Sequence, residues 1–167
     1  MILRGDRVTL RPATDADEPI FGAILREPEV EAWWGLYPPE RVRADLFDDD
    51  ETTTFAVELD GTVIGLITAW EEDSPNYRHA GIDIALSAAH HGEGLGSEAV
   101  SVLARHLFED GGHHRLTIDP AAANTRAIRA YEKVGFRPVG VMRRYERGPD
   151  GTWHDGLLMD LLREELR

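Results

Sequence analysis

Arg7-Val8-Thr9-Leu10-Arg11 alternates apolar and polar residues, the period of a half-buried strand. Thr14-Asp15-Ala16-Asp17 carries the marks of a helix start, a threonine N-cap followed by acids in the first turn. Ile20, Phe21, Ile24 and Leu25 follow at helical spacing, and Pro28 breaks that helix or opens the next. Trp33-Trp34-Gly35 runs into a Pro38-Pro39 corner, and a short helix is expected from Glu40 to about Asp50. The apolar runs 53–59 and 62–70 flank Asp60-Gly61, a strong hairpin signal. A charged loop from Glu71 to Asn76 leads to a strand over 80–86. Beyond the loop His90-His91-Gly92-Glu93-Gly94-Leu95-Gly96, a helix sets Val100, Leu103, Leu107 and Phe108 on one face and stops at Gly111-Gly112. A strand over 116–119 and a helix from about Thr125 to Val134, closed by Gly135, come next. Strands over 136–144 and 153–162 then face each other across Gly148-Pro149-Asp150-Gly151. The order β-α-α-β-β-β-α-β-α-β-β predicts an α/β architecture, a mixed sheet with helices on its faces. No repeat, low-complexity stretch or linker interrupts it, so residues 1–167 are expected to form a single domain around one core.

Composition narrows the function classes. No apolar run approaches the roughly 20 residues that span a bilayer. Met1-Ile2-Leu3-Arg4-Gly5-Asp6 lacks the basic start and long apolar stretch of a signal peptide. With no cysteine there is no disulfide framework, and a cytoplasmic location is the expectation. The same absence excludes a cysteine acyl-enzyme and any thiolate metal site. The 7 histidines include two adjacent pairs, His90-His91 and His113-His114, whose neighbours point apart, so no metal site is expected. The balance of 18 Lys+Arg against 31 Asp+Glu, a formal charge of −13, argues against nucleic acid and favours cationic ligands.

Two features carry chemistry. Gly92-x-Gly94-x-Gly96 lies between a strand and a helix, where glycines let backbone approach a ligand and the helix start offers free N–H groups to phosphate oxygens. It matches neither the P-loop nor the dinucleotide pattern, and its plainer reading is a tight turn. About thirty residues on, Asn124 stands at an N-cap position and Tyr131 lies two turns later on the same helix side. A tyrosine there can donate a proton to a leaving group, or serve as a packed aromatic.

Together these features resemble the GNAT superfamily of N-acetyltransferases, with a core running from Gly81 to Phe136. The resemblance implies a central, mostly antiparallel sheet with splayed parallel strands, acetyl-CoA as cofactor, and direct acetyl transfer to an amine. It makes His91, Gly92, Glu93, Gly94, Leu95, Gly96 and Ser97 the pyrophosphate loop, and sets Ile84, Ala85 and Leu86 along the pantetheine arm. Asn124 would bond that arm or the incoming group, Ala127 would belong to the cofactor site, and Tyr131 would protonate the departing thiolate. His91 stands where the family usually has Gln or Arg.

Within the family, Trp33-Trp34-Gly35, Gly81-Ile82-Asp83 and Thr117-Ile118-Asp119-Pro120 resemble the aminoglycoside 6'-N-acetyltransferases. That likeness implies Asp83 as the group that binds or deprotonates the amine, Asp119 as a second ammonium site and Trp34 as a stacking wall. Glu71 falls where the substrate loop would lie. Each aspartate also has a plainer use: Asp83 can bond a neighbouring amide and Asp119 can cap the turn before Pro120. The segment Gly151-Thr-Trp153-His154-Asp155-Gly156 is more similar to Rim-type protein N-terminal acetyltransferases, and parts of the Trp-Trp and Gly-Ile-Asp motifs occur in siderophore-building relatives. A non-catalytic acyl-CoA-binding module is the reading from another class. The partner expected is a small-molecule amine, and family resemblance allows a homodimer.

Overall fold

The computed structural model describes residues 1–167. Eight strands form one sheet: β1 (Leu3–Arg4), β2 (Val8–Pro12), β3 (Thr52–Leu59), β4 (Thr62–Glu72), β5 (His79–Leu86), β6 (Arg115–Ile118), β7 (Arg137–Arg147) and β8 (Trp153–Leu162). Their spatial order is β1-β2-β3-β4-β5-β6-β8-β7, and only β5 and β6 pair in parallel. Helices α1 (Glu18–Leu25), α2 (Pro28–Trp34) and α3 (Pro39–Leu46) cover one face. Helices α4 (Leu95–Glu109) and α5 (Thr125–Val134) cover the other.

A sheet covered on both faces needs strands that are apolar at successive positions. In β3, Phe55 and Val57 enter the core under α4 and α5, while Ala56 between them enters the core under α1–α3. In β4, Ile67 and Leu66 divide the same way. On α4 the expected face is buried, with Val100, Leu103, Leu107 and Phe108 all inside.

The predicted α/β architecture holds, and α5 has its predicted bounds. The differences have local causes. The helix expected at Thr14 opens as a 3-10 turn over Asp15–Asp17, and α1 starts after it. There the buried Asp17 carboxylate receives Arg11 through both oxygens, at 2.7 and 2.8 Å, and Thr14 N at 2.8 Å. Helix α3 stops at Leu46 rather than near Asp50, because the Asp49 carboxylate closes a turn by accepting from Glu51 N and Thr52 Oγ1. Pro28 opens a separate helix, α2, and β1 adds a short edge strand.

The sheet splits between β5 and β6. They pair at Ala80–Leu116 and Gly81–Thr117 and then diverge, although β5 continues beside β4 to Leu86. The chain after β6 follows β8 instead: Leu157 N donates to Pro120 O and Ala122 N to Asp155 O. The parting leaves the edge of β5 beyond Gly81 open on the β6 side.

Candidate active site

A cavity of about 910 Å³ fills this split. Its walls are the open edge of β5, the loop before α4, the inner side of α5, α2 and the end of β7. At residue 84 and again at residue 86 the backbone N–H and C=O face the opening, as alternate residues of a strand do. Trp34 Nε1–H donates to Ile84 O at 3.0 Å, and His91 Nε2–H donates to Leu86 O at 2.7 Å, a bond that fixes the His91 tautomer. The Glu27 carboxylate accepts Ser87 Oγ at 2.7 Å, so the α1–α2 elbow is tied to the end of β5.

The glycine loop opens onto the same cavity. Gly92 and Gly94 have φ of 78° and 77°, a conformation that favours glycine. A Cβ at Gly92 would meet no protein atom within 4 Å, so the space above the loop is free. Gly94 is the N-cap of the 15-residue α4. The first intrahelical bond runs from Glu98 N to Gly94 O, which leaves the N–H groups of Leu95, Gly96 and Ser97 without helical partners. This cradle, at the positive end of a helix, suits a pyrophosphate. The loop is held from behind: Glu98 accepts Arg7 N at 2.6 Å, Val8 N at 2.9 Å and Arg7 Nε at 3.0 Å, while Arg7 Nη1 donates to Glu93 O at 2.9 Å. Glu93 therefore contributes its carbonyl to the support and stays outside the cavity lining.

Helix α5 crosses the first turn of α4, where Ser97 Oγ donates to Ala130 O at 3.0 Å. Asn124 caps α5, its Oδ1 accepting from Ala127 N at 3.3 Å, and both residues line the cavity. Tyr131 lies against Phe136 with its ring buried. Its hydroxyl has no protein partner, and the side chain forms part of the cavity wall. Burial first, then the negative fields of Asp83 and Asp119, push its pKa well above the ordinary phenol value. Tyr131 therefore keeps its proton at neutral pH.

The opposite wall is acidic. Continuing the Gly81–Thr117 register, an offset of 36 residues, sets Asp83 opposite Asp119 across the split. Burial, with repulsion from Asp119 and Glu146, raises the Asp83 pKa to about 7. Asp119 is raised by burial, a shift that its hydrogen bond from Tyr145 Oη at 2.7 Å opposes. Glu146 is raised by burial and by Asp119, against the opposing fields of Arg41 and His154. None of these three carboxylates forms an ion pair.

Glu146 and Tyr145 have no motif in the sequence. Both reach the cavity because β7 bulges: between Met142 and Glu146 it advances four residues while β8 advances two, from Gly156 to His154. Arg144, at φ 49°, makes the bend and its N–H donates to Asp155 Oδ1 at 2.8 Å. Neighbours on a regular strand point to opposite faces, and the bulge removes that restriction. Trp70 is another lining residue without a motif, and it lies across β5 at Gly81, where any Cβ would collide with its indole.

The sequence-derived candidates thus converge on one cavity, with one clear exception besides the Glu93 side chain. Glu71 lies outside it, its Oε2 bonded at 2.8 Å to Nε2 of the buried His113. The cause is strand length. Residues 71 and 72 still belong to β4 and pair with Ala80 and His79, so Glu71 is held in the sheet and faces away from the split. Of the tryptophan pair, Trp34 packs against the smaller core and meets Tyr37 edge-on, while Trp33 is the more exposed. Both line the cavity.

Comparison with known proteins agrees with this geometry. Residues 7–137 match the acetyltransferase (GNAT) domain, and the chain belongs to that family. It is an N-acetyltransferase that uses acetyl-CoA. Aminoglycoside N(6')-acetyltransferase type 1 of Klebsiella pneumoniae is 32% identical over 166 residues, covering 87% of this chain and 80% of the relative. A crystal structure of aminoglycoside acetyltransferase AAC(6')-Ib with coenzyme A and kanamycin superposes with a TM-score of 0.78 at 28% identity, covering 95% of this chain and 96% of that one. Mycobacterium smegmatis RimJ in complex with CoA-disulfide gives a TM-score of 0.83 at 26% identity, covering 99% and 88%. No helix is long and apolar enough to cross a membrane.

Proposed function

We propose that the acceptor is an aminoglycoside-like polycation bearing a primary amine. The observation that carries this reading is the group Asp83, Asp119 and Glu146: three carboxylates on one cavity wall, each with a raised pKa and none in an ion pair. A ligand with several ammonium groups relieves their repulsion, and a single α-amine leaves two of them unpaired. Trp34 and Tyr145 offer flat surfaces beside them for a sugar ring. The similarity to the Klebsiella enzyme supports the same reading.

Acetyl-CoA supplies the acetyl group as an activated thioester. In this reading the amides of Leu95, Gly96 and Ser97 hold its pyrophosphate, and the open edge of β5 at Ile84 and Leu86, with Asn124, receives its amide-bearing arm. Asp83, with a pKa of about 7, takes a proton from the incoming ammonium. Tyr131 gives its proton to the leaving thiolate. The β5 edge also supplies backbone donors to oxygen charge that develops during transfer.

The test is thiol release from acetyl-CoA with kanamycin, spermidine, lysine derivatives, and peptides beginning with Ala or Ser. Rapid release with kanamycin bears out the proposal. Release with a peptide alone overturns it in favour of a Rim-type α-amine acceptor, and no release with any amine points to a non-catalytic acyl-CoA-binding module.

A further inference from the structure

The wall facing the cofactor half of the cavity has the opposite charge. Arg126, Arg129 and Lys133 lie on α5 at spacings of three and four residues, which aligns them in one stripe roughly 10 Å long. All three are exposed, line the cavity rim, and make neither an ion pair nor a side-chain hydrogen bond. Arg7, Arg11, Arg41, Arg43, Arg115 and Arg137 are tied into ion pairs, whereas these three leave their charge unpaired at the cavity rim. The stripe is also next to the glycine loop, because Ala130, between Arg129 and Lys133, receives the Ser97 hydroxyl from the first turn of α4.

Coenzyme A brings about −4 in charge, half on its pyrophosphate and half on a terminal 3'-phosphate, which carries close to two charges like other phosphomonoesters. The loop amides suit the pyrophosphate and contribute only partial charges. A protein of net charge −13 repels such a ligand at long range, so a local cationic field is required where the second dianion sits. We infer that Arg126, Arg129 and Lys133 form the seat of the 3'-phosphate and make the enzyme selective for coenzyme A over its dephospho form. This rests on the reading that the loop at 92–96 holds the pyrophosphate. Arg129 and Lys133, which flank the Ser97 contact, carry most of the selectivity.

Calorimetric titration with CoA and with dephospho-CoA tests the assignment without turnover. The wild type should bind CoA at least tenfold more tightly, since phosphate held by guanidinium and ammonium donors is a charge-assisted contact. Arg129→Ala and Lys133→Ala should each cut that ratio several-fold, and the double variant should bring it close to one while leaving dephospho-CoA affinity unchanged. Raising the salt concentration should narrow the wild-type ratio. A wild type that binds both ligands equally overturns the inference, and so do variants that weaken both ligands to the same extent. Gly94→Asp separates the two readings: loss of both ligands there supports the loop as the pyrophosphate site. Retained binding removes the loop from the site and, with it, the basis for seating the 3'-phosphate on the stripe.

Discussion

Replacing Asp83 by Asn should raise stability and lower activity, with both effects following the same titration. Burial and two neighbouring carboxylates raise the Asp83 pKa from 3.8 to about 7 in the folded protein. The fold therefore retains a proton that the unfolded chain releases, and between pH 4 and pH 7 stability falls as pH rises. A gap of about three units corresponds to at most about 4 kcal/mol, fully present above pH 7. Asp83 faces a cavity open to water, and screening reduces the net cost to on the order of 1–2 kcal/mol. Asn keeps the shape, removes the charge and relieves the repulsion on Asp119 and Glu146. At about 2–4 °C per kcal/mol for a chain of this size, Asp83→Asn should melt roughly 2–8 °C above wild type at pH 8.5, and the difference should shrink as pH falls to 4. In the same range, wild-type kcat/KM should rise with pH to a plateau above an apparent pKa near 7. In the variant that acid limb should vanish and the plateau should drop by about a hundredfold. Thermal unfolding by circular dichroism across pH, beside a pH–rate profile, reads both. A variant that melts below wild type at pH 8.5, or by a constant offset at every pH, would refute the reasoning, because Asp83 would then be an ionised and satisfied group of the fold.

Tyr131→Phe should lower kcat by about a hundredfold with acetyl-CoA affinity unchanged, since only the proton donor is lost; a parallel loss in both, by kinetics and calorimetry, would make Tyr131 a packing residue. Gly94→Asp should abolish cofactor binding, because the left-handed φ is strained for a side chain and the carboxylate repels the pyrophosphate; calorimetry with CoA checks it. Asp17→Ala should destabilise the fold by about 3–5 kcal/mol, seen as a lower midpoint in denaturant. It leaves Arg11 facing Glu58 alone and removes the acceptor for Thr14 N.

The legible parts of the site are those whose chemistry is local in sequence. Three glycines before a helix, and Asn124 seven residues ahead of Tyr131 on another, specify their own backbone geometry, and the structure brings both to one cavity. Asp83 and Asp119 were legible as candidates, and their opposition follows from pairing two strands in parallel, which a sequence does not register. Glu146 and Tyr145 were not legible. They reach the cavity through a two-residue slip in β7 and a positive φ at Arg144, and no alternation of apolar and polar residues announces such a bulge. Glu71 misled for the converse reason. A run of acids reads as a loop, yet β4 extends through it, and Glu71 finds a partner in His113, 42 residues away.

One structural event produces both the cofactor groove and the acceptor wall. When the chain after β6 follows β8, the β5 edge is freed at residues 84 and 86, and Asp83 and Asp119 come to lie on opposite sides of the split. Bonds from two side chains, Trp34 to Ile84 O and His91 to Leu86 O, then meet the freed carbonyls and brace the open edge without closing it. Because Trp34 comes from the acceptor side and His91 from the glycine loop, each half of the cavity holds one point on the strand between them. The two halves are therefore not separable by substitution at that strand. A change that re-pairs the β5 edge acts on both at once. Its effect on amine binding and on cofactor binding should be correlated, whereas Glu146→Gln should alter amine binding alone.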